Sequence, residues 1–196
     1  MAGGRRGLAV SVIAAIEYPA RGTRPAGVYV GADSFIGDAM SGDRLRNGGK
    51  FFLRHGRRLL VGCTGSYRVT QLASGAVLPV QEAWQSTDDY LCGPLARALR
   101  LAVNADRGVR RADWAMILAY RGRAYEVQRD WSIVSSQWPV CAIGCGAPVT
   151  GGALDALTPE GGWTRGTARA AMRAALRIAE RRCPMVRGKM WYEDVV

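Results

Sequence analysis

Residues 31–52 read "GADSFIGDAMSGDRLRNGGKFF". An apolar run ends in Asp33, a polar glycine-bearing stretch follows, and Lys50 opens the next apolar run seventeen residues later. Two charges placed at strand mouths are either ordinary strand-end polars or the halves of one ion pair. Upstream, "LAVSVIAAI" (8–16) is almost unbroken apolar sequence with β-branched residues, the pattern of a buried strand. "EYPARGTRPAG" (17–27), with two prolines and two glycines, is a loop, and "VYVGADS" (28–34) is the second strand of a hairpin. Downstream, "KFFLRHGRRLLVGCTG" (50–65) predicts two more strands turned at His55-Gly56.

Beyond Gly65 the spacing of apolar residues becomes helical in "SYRVTQLASGAVLPV" (66–80) and "STDDYLCGPLARALRLAVNADRG" (86–108). In the second, Ser86 or Thr87 suits the cap, Asp88 and Asp89 suit the positive end of the helix dipole, and Pro94 predicts a late start or a kink. Strands return in "WAMILAYRGRAYEVQRDWSIV" (114–134), around a tight turn, and in "PVCAIGCG" (139–146). "VTGGALDAL" (149–157) and "TRGTARAAMRAALRIAERRC" (164–183) are helices, the second with Ala168, Ala171, Met172, Ala175 and Ile178 on one inward stripe. "KMWYEDVV" closes with a strand. Four strands, two helices, two or three strands, two helices and one strand predict an α+β chain of two packed sheets with helices outside. Without repeat or linker, the 196 residues form a single domain.

The net charge of +11 comes from arginine far more than lysine, and the arginines are scattered as pairs such as Arg57-Arg58 and Arg181-Arg182. A dispersed basic surface carries weak, non-specific affinity for nucleic acid and no recognition motif. No apolar run reaches the roughly 18–20 residues that span a bilayer, so no membrane partner is expected. The nine-residue stretch Leu8–Ile16 is short for a secretory signal and "YPA" is a poor cleavage site, which points to the cytoplasm or a phage particle. Five cysteines without regular spacing fit a reducing compartment. Cys141 and Cys145 are four apart and the chain has one histidine, so no zinc site and no cofactor is expected. That histidine, His55, lies in a basic turn, which disfavours a Ser-His-Asp or Cys-His arrangement. A phosphate-binding loop fails at Lys50, because Arg44 stands where glycine is needed and Phe51 where Ser or Thr is needed. There is no G-x-S-x-G elbow.

Taken in order, the strand before Tyr18, the strand ending in "GAD", "GGKFF", the hairpin and "GCTGSYRVTQLA" (62–73) resemble the proteasome β-subunit and HslV family of N-terminal nucleophile (Ntn) hydrolases. "WAMILAYRGRAYEV", "AIGCGAPVTGGALDAL" and "RRCPMVRGKMWYEDV" continue the resemblance nearly to the C-terminus. It implies a four-layer αββα sandwich over 11–196, with residues 1–10 as an arm or propeptide. It also implies that the first residue of the mature chain is the nucleophile, its own α-amine the base, and an Asp-held lysine its activator. On this sequence those roles fall on Ser11, Asp33 and Lys50. Serine is chemically adequate, but the amine exists only once the bond before Ser11 is cut.

Two departures weaken the carry-over. The family's Gly-Ser-Gly turn is Gly144-Cys145-Gly146 here, and its aspartate and serine after the last long helix fall near Cys183 and Val186. The sequence therefore favours a catalytically silent structural or assembly subunit of a homo-oligomer, a ring or stacked rings, of a bacterium or phage. The alternative is a latent N-terminal serine peptidase or amidohydrolase acting on a peptide substrate. In either, the face "GTARAAMRAALRIAE" and Trp84, Trp163 and Trp191 are candidate interface residues, with core packing as the plainer reading.

Overall fold

The computed structural model describes residues 11–35, 49–109 and 112–196; the arm or propeptide of residues 1–10 lies outside the described residues. Among the described residues, nine strands and five α-helices run in the order β1 (Ile13–Tyr18), β2 (Gly27–Asp33), β3 (Phe51–Arg54), β4 (Leu59–Gly65), α1 (Tyr67–Gly75), α2 (Thr87–Tyr90), α3 (Ala96–Asn104), β5 (Trp114–Tyr120), β6 (Arg123–Val127), β7 (Ile133–Ser135), β8 (Val140–Ile143), α4 (Ala147–Ala156), α5 (Arg165–Arg182) and β9 (Met190–Val195). One sheet has the order β8-β1-β2-β9 and the other β3-β4-β5-β6-β7, with antiparallel pairing throughout.

Three apolar layers hold four structural layers together. Ile13 and Ala15 of β1 join Val28 and Val30 of β2 and Leu60, Ile117 and Ala119 of the other sheet in the layer between the sheets. The alternate residues Val12, Ala14, Ile16 and Tyr18 face Leu154 of α4 and Met172, Ala175 and Leu176 of α5. A strand covered on both faces has no polar side, which is why "VIAAI" (12–16) shows no alternation. On the far side Leu59, Val61 and Cys63 of β4 face Val69, Leu91, Leu95 and Leu99. The αββα sandwich is therefore present. Glycine at 31 permits it locally: a Cβ there would lie 2.7 Å from Met172 Cγ and 2.9 Å from Leu176 Cδ1.

Three local expectations change. The first helix stops at Gly75 instead of running to Val80; Ala76 is extended and Pro79 lies beyond. Pro94 does not delay the second helical segment, which starts at Thr87; it falls inside a π-turn, Leu91–Leu95, that joins α2 to α3 and absorbs the missing N–H. A short extra strand, β7, follows the turn closed by Trp131 N–H to the Gln128 carbonyl. The long helix starts at a Thr164–Thr167 capping box and buries Ala168, Ala171, Met172 and Ala175 as expected, but Leu176 and Ala179 complete the stripe and Ile178 is only half-buried.

Candidate active site

The start of β1 and the end of β2 lie side by side, with Ile13 opposite Ala32. This places Ser11, two residues before β1, beside Asp33, the last residue of β2. Lys50 enters from the other sheet, immediately before β3, with its carbonyl held by the Cys63 N–H at 2.8 Å. The three side chains meet. Lys50 Nζ donates to Asp33 Oδ1 at 2.5 Å, and Ser11 Oγ donates to the same oxygen at 3.3 Å. Val12 N–H also donates to Oδ1, at 2.9 Å, while Phe35 N–H and Arg187 N–H each donate to Oδ2 at 3.3 Å. Asp33 is 0 % exposed, Ser11 1 % and Lys50 4 %.

Charge burial on this scale is tolerated only when charges are paired and the remaining lone pairs are bonded. Here the carboxylate collects backbone donors from the residue before β1 and from the segments after β2 and α5, so it is built into the fold. Burial pushes the Lys50 ammonium below its ordinary range, and the Asp33 charge pulls it only part of the way back. Lys50 thus gives up its proton more readily than a free lysine. The Ser11 hydroxyl bond is long for O–H···O, as bonds at resting catalytic sites often are.

The main chain of Ser11 is clamped by the turn between β8 and α4. Gly146 N–H donates to the Ser11 carbonyl at 3.1 Å. Gly144 has φ +95°, and a Cβ there would lie 2.4 Å from the same carbonyl oxygen, so only glycine fits. Between these glycines Cys145 accepts the Ser11 N–H on Sγ at 3.2 Å. Its thiol also approaches the Ser11 carbonyl at 3.4 Å and Cys183 Sγ at 3.9 Å. Burial pushes the Cys145 thiol up, so it acts as a neutral, weak acceptor. Cys145 thus sits against the Ser11 amide, with Cys183 beside its sulfur.

Sequence reasoning missed Thr64 and Arg187. Thr64 is 3 % exposed, its Oγ1 has no hydrogen-bond partner among the described residues, and with Ser11, Phe35, Lys50 and Gly65 it lines a cavity of about 20 Å³. That volume is about one water molecule. Arg187 contributes through its backbone N–H, which no sequence pattern reveals. His55 lies elsewhere, in the β3–β4 turn, 3.4 Å from the Tyr90 hydroxyl. Trp163, considered as an interface residue, is 2 % exposed and belongs to the core under α5, whereas Trp84 and Trp191 are exposed. Among the described residues no group of three or more metal-ligating side chains occurs, and no helix is long and apolar enough to cross a membrane.

No protein-family model and no curated protein matches the sequence. Solved structures do match its shape. HslV from Trypanosoma brucei superimposes with a TM-score of 0.62 at 18 % identity, covering 94 % of this chain and 98 % of that one. BPH from Thiobacillus denitrificans gives 0.66 at 14 %, covering 94 % and 97 %, and a second structure of it is in complex with epoxomicin. Anbu, described as an ancestral beta-subunit, from Yersinia bercovieri gives 0.70 at 15 %, covering 93 % and 80 %. With its two antiparallel sheets between helices, the chain has the proteasome-like fold of the Ntn hydrolases.

Proposed function

We propose that the chain is the latent form of an N-terminal serine amide hydrolase, with Ser11 as nucleophile. One observation carries the reading: Ser11 Oγ and Lys50 Nζ share a single, fully buried carboxylate oxygen of Asp33. A hydroxyl needs a base and a nearby positive charge before it attacks a carbonyl. In the uncut chain Ser11 nitrogen is an amide, whose lone pair is delocalised and not basic. Hydrolysis of the bond before Ser11 turns it into an amine that can take the Oγ proton. Oγ then adds to a peptide carbonyl, the leaving amine departs with a proton, and water hydrolyses the resulting serine ester. Lys50 steadies the developing alkoxide, and its lowered proton affinity lets it share the proton. Asp33 holds Lys50 in place.

Association of like subunits is part of the proposal. Trp84 is 83 % exposed and Val77 93 %, on the segment between α1 and α2, and Anbu's description as a beta-subunit supports assembly of this fold.

A second reading, the silent subunit, is favoured by the thiol at the amine: Cys145 offers weaker acceptance than a hydroxyl would. Intact mass separates the two. The hydrolase loses residues 1–10 and then gains the mass of epoxomicin, the ligand of the Thiobacillus protein, at Ser11. A full-length mass unchanged by epoxomicin sinks the hydrolase and leaves the silent subunit.

A further inference from the structure

Cys145 and Cys183 come from distant segments, the turn before α4 and the cap of α5, yet their sulfurs are 3.9 Å apart. Both side chains are half-buried, so small oxidants reach them. The same Cys145 sulfur accepts the Ser11 N–H. We propose that Cys145 and Cys183 are a thiol–disulfide modification site, and that its oxidation withdraws the acceptor from the Ser11 nitrogen. The consequence for catalysis rests on the reading of Ser11 as nucleophile; the chemistry of the pair does not.

A hydroperoxide supplies the oxidant. One thiol is oxidised to a sulfenic acid as the peroxide O–O bond breaks and water (or an alcohol) leaves. The second thiol attacks that sulfur, the S–O bond breaks, a second water leaves, and the S–S bond forms. Two thiols lose two electrons and two protons in total, and the peroxide takes them. A disulfide needs sulfurs about 2.05 Å apart, so the pair closes by about 1.9 Å from 3.9 Å. Gly144 and Gly146 flank Cys145 on one side, and Cys183 sits beyond the last helical residue on the other, so neither is fixed inside a helix. Once bonded to Cys183, Sγ has no proton to donate and is drawn toward α5, away from Ser11. A reducing thiol reverses the reaction.

The remaining cysteines give internal controls: Cys92 is exposed, Cys141 half-buried and Cys63 buried. The full-length protein is treated with mild hydrogen peroxide, then mapped by peptide mass spectrometry, with amide hydrogen exchange at Ser11 followed by NMR. The expected result is a Cys145–Cys183 cross-linked peptide lighter by two hydrogens, absent in Cys145→Ser and Cys183→Ser and reversed by dithiothreitol. Ser11 amide exchange rises at least tenfold on oxidation, and peroxide leaves the exchange of Cys183→Ser unchanged. Peroxide that modifies Cys92 while Cys145 and Cys183 remain free thiols overturns the site. A disulfide that forms without faster Ser11 exchange overturns the gating. Neither readout requires hydrolysis, so an epoxomicin-inert protein that still forms the disulfide sinks the hydrolase reading alone.

Discussion

The β1–β2 hairpin has polar clusters at both ends, and they are built to opposite rules. At the Ser11 end, Asp33 and Lys50 are paired out of contact with water. At the Tyr18 end, Asp194 of β9 accepts the Tyr18 hydroxyl at 2.5 Å and pairs with Arg165, whose side chain is 62 % exposed. Glu17 pairs at 4.0 Å with Arg123, also largely in solvent. At the second end solvent can take the place of Arg165 or Arg123, whose side chains are more than half exposed. At the first it cannot, so every group there depends on every other.

The sharpest way to break the contrast is Asp33→Ala. It strands the Lys50 ammonium in the interior, with no other ion-pair partner among the described residues. The expected loss is about 3–5 kcal/mol, read as a fall in the urea midpoint. Lys50→Met, which keeps the length of the side chain, costs less, about 2 kcal/mol, because Asp33 retains Val12, Phe35 and Arg187 N–H donors and the Ser11 hydroxyl. A larger loss for Lys50→Met than for Asp33→Ala would show that the backbone donors do not hold the carboxylate. The pair also has a pH signature. Burial lowers the folded-state pKa of Lys50, so between that value and the ordinary one near 10.5 the unfolded chain binds more protons. Stability from Lys50 therefore rises with pH across that alkaline window. The difference between wild type and Lys50→Met, measured from pH 8 upward, should grow; a flat difference would mean that Asp33 offsets the burial in full.

Much of the buried end is legible in the sequence because its constraints are compositional. β1 reads as buried because it is covered on both faces, and Gly144 and Gly146 bracket a turn that must approach Ser11. Lys50 and Lys189 are the only lysines among 27 basic residues, so a lysine was itself a signal. The rest was illegible for physical reasons. Arg187 acts through its backbone, and the contact of Cys145 with Cys183 joins segments 38 residues apart. The π-turn at Pro94 depends on how Leu91, Leu95 and Leu99 pack on the second sheet, which a local rule about proline omits. The Tyr18 end left no trace, since its pairs form across strands from side chains that look like any surface charge.

At that end the effects shrink. Tyr18 is buried although its partner reaches solvent, so Tyr18→Phe removes one charge-assisted bond without opening a cavity. About 1–2 kcal/mol is expected in the thermal or urea transition. No change would mean that water already serves Asp194.

Arg165→Ala tests the exposed limit. Arg165 stands at the first position of α5, where its positive charge opposes the helix dipole, while its pairing with Asp194 offsets that cost. Exposed pairs contribute about 0–1 kcal/mol, and salt screens them. The variant should lose less than about 1 kcal/mol at low ionic strength and nothing measurable in molar salt. Tyr18 keeps one oxygen of Asp194 bonded in either case. A loss as large as that of Asp33→Ala, and insensitive to salt, would show that Asp194 is screened from water by more than its own strand. The two ends of the hairpin would then follow one rule, and burial of Asp33 would no longer mark its site as special.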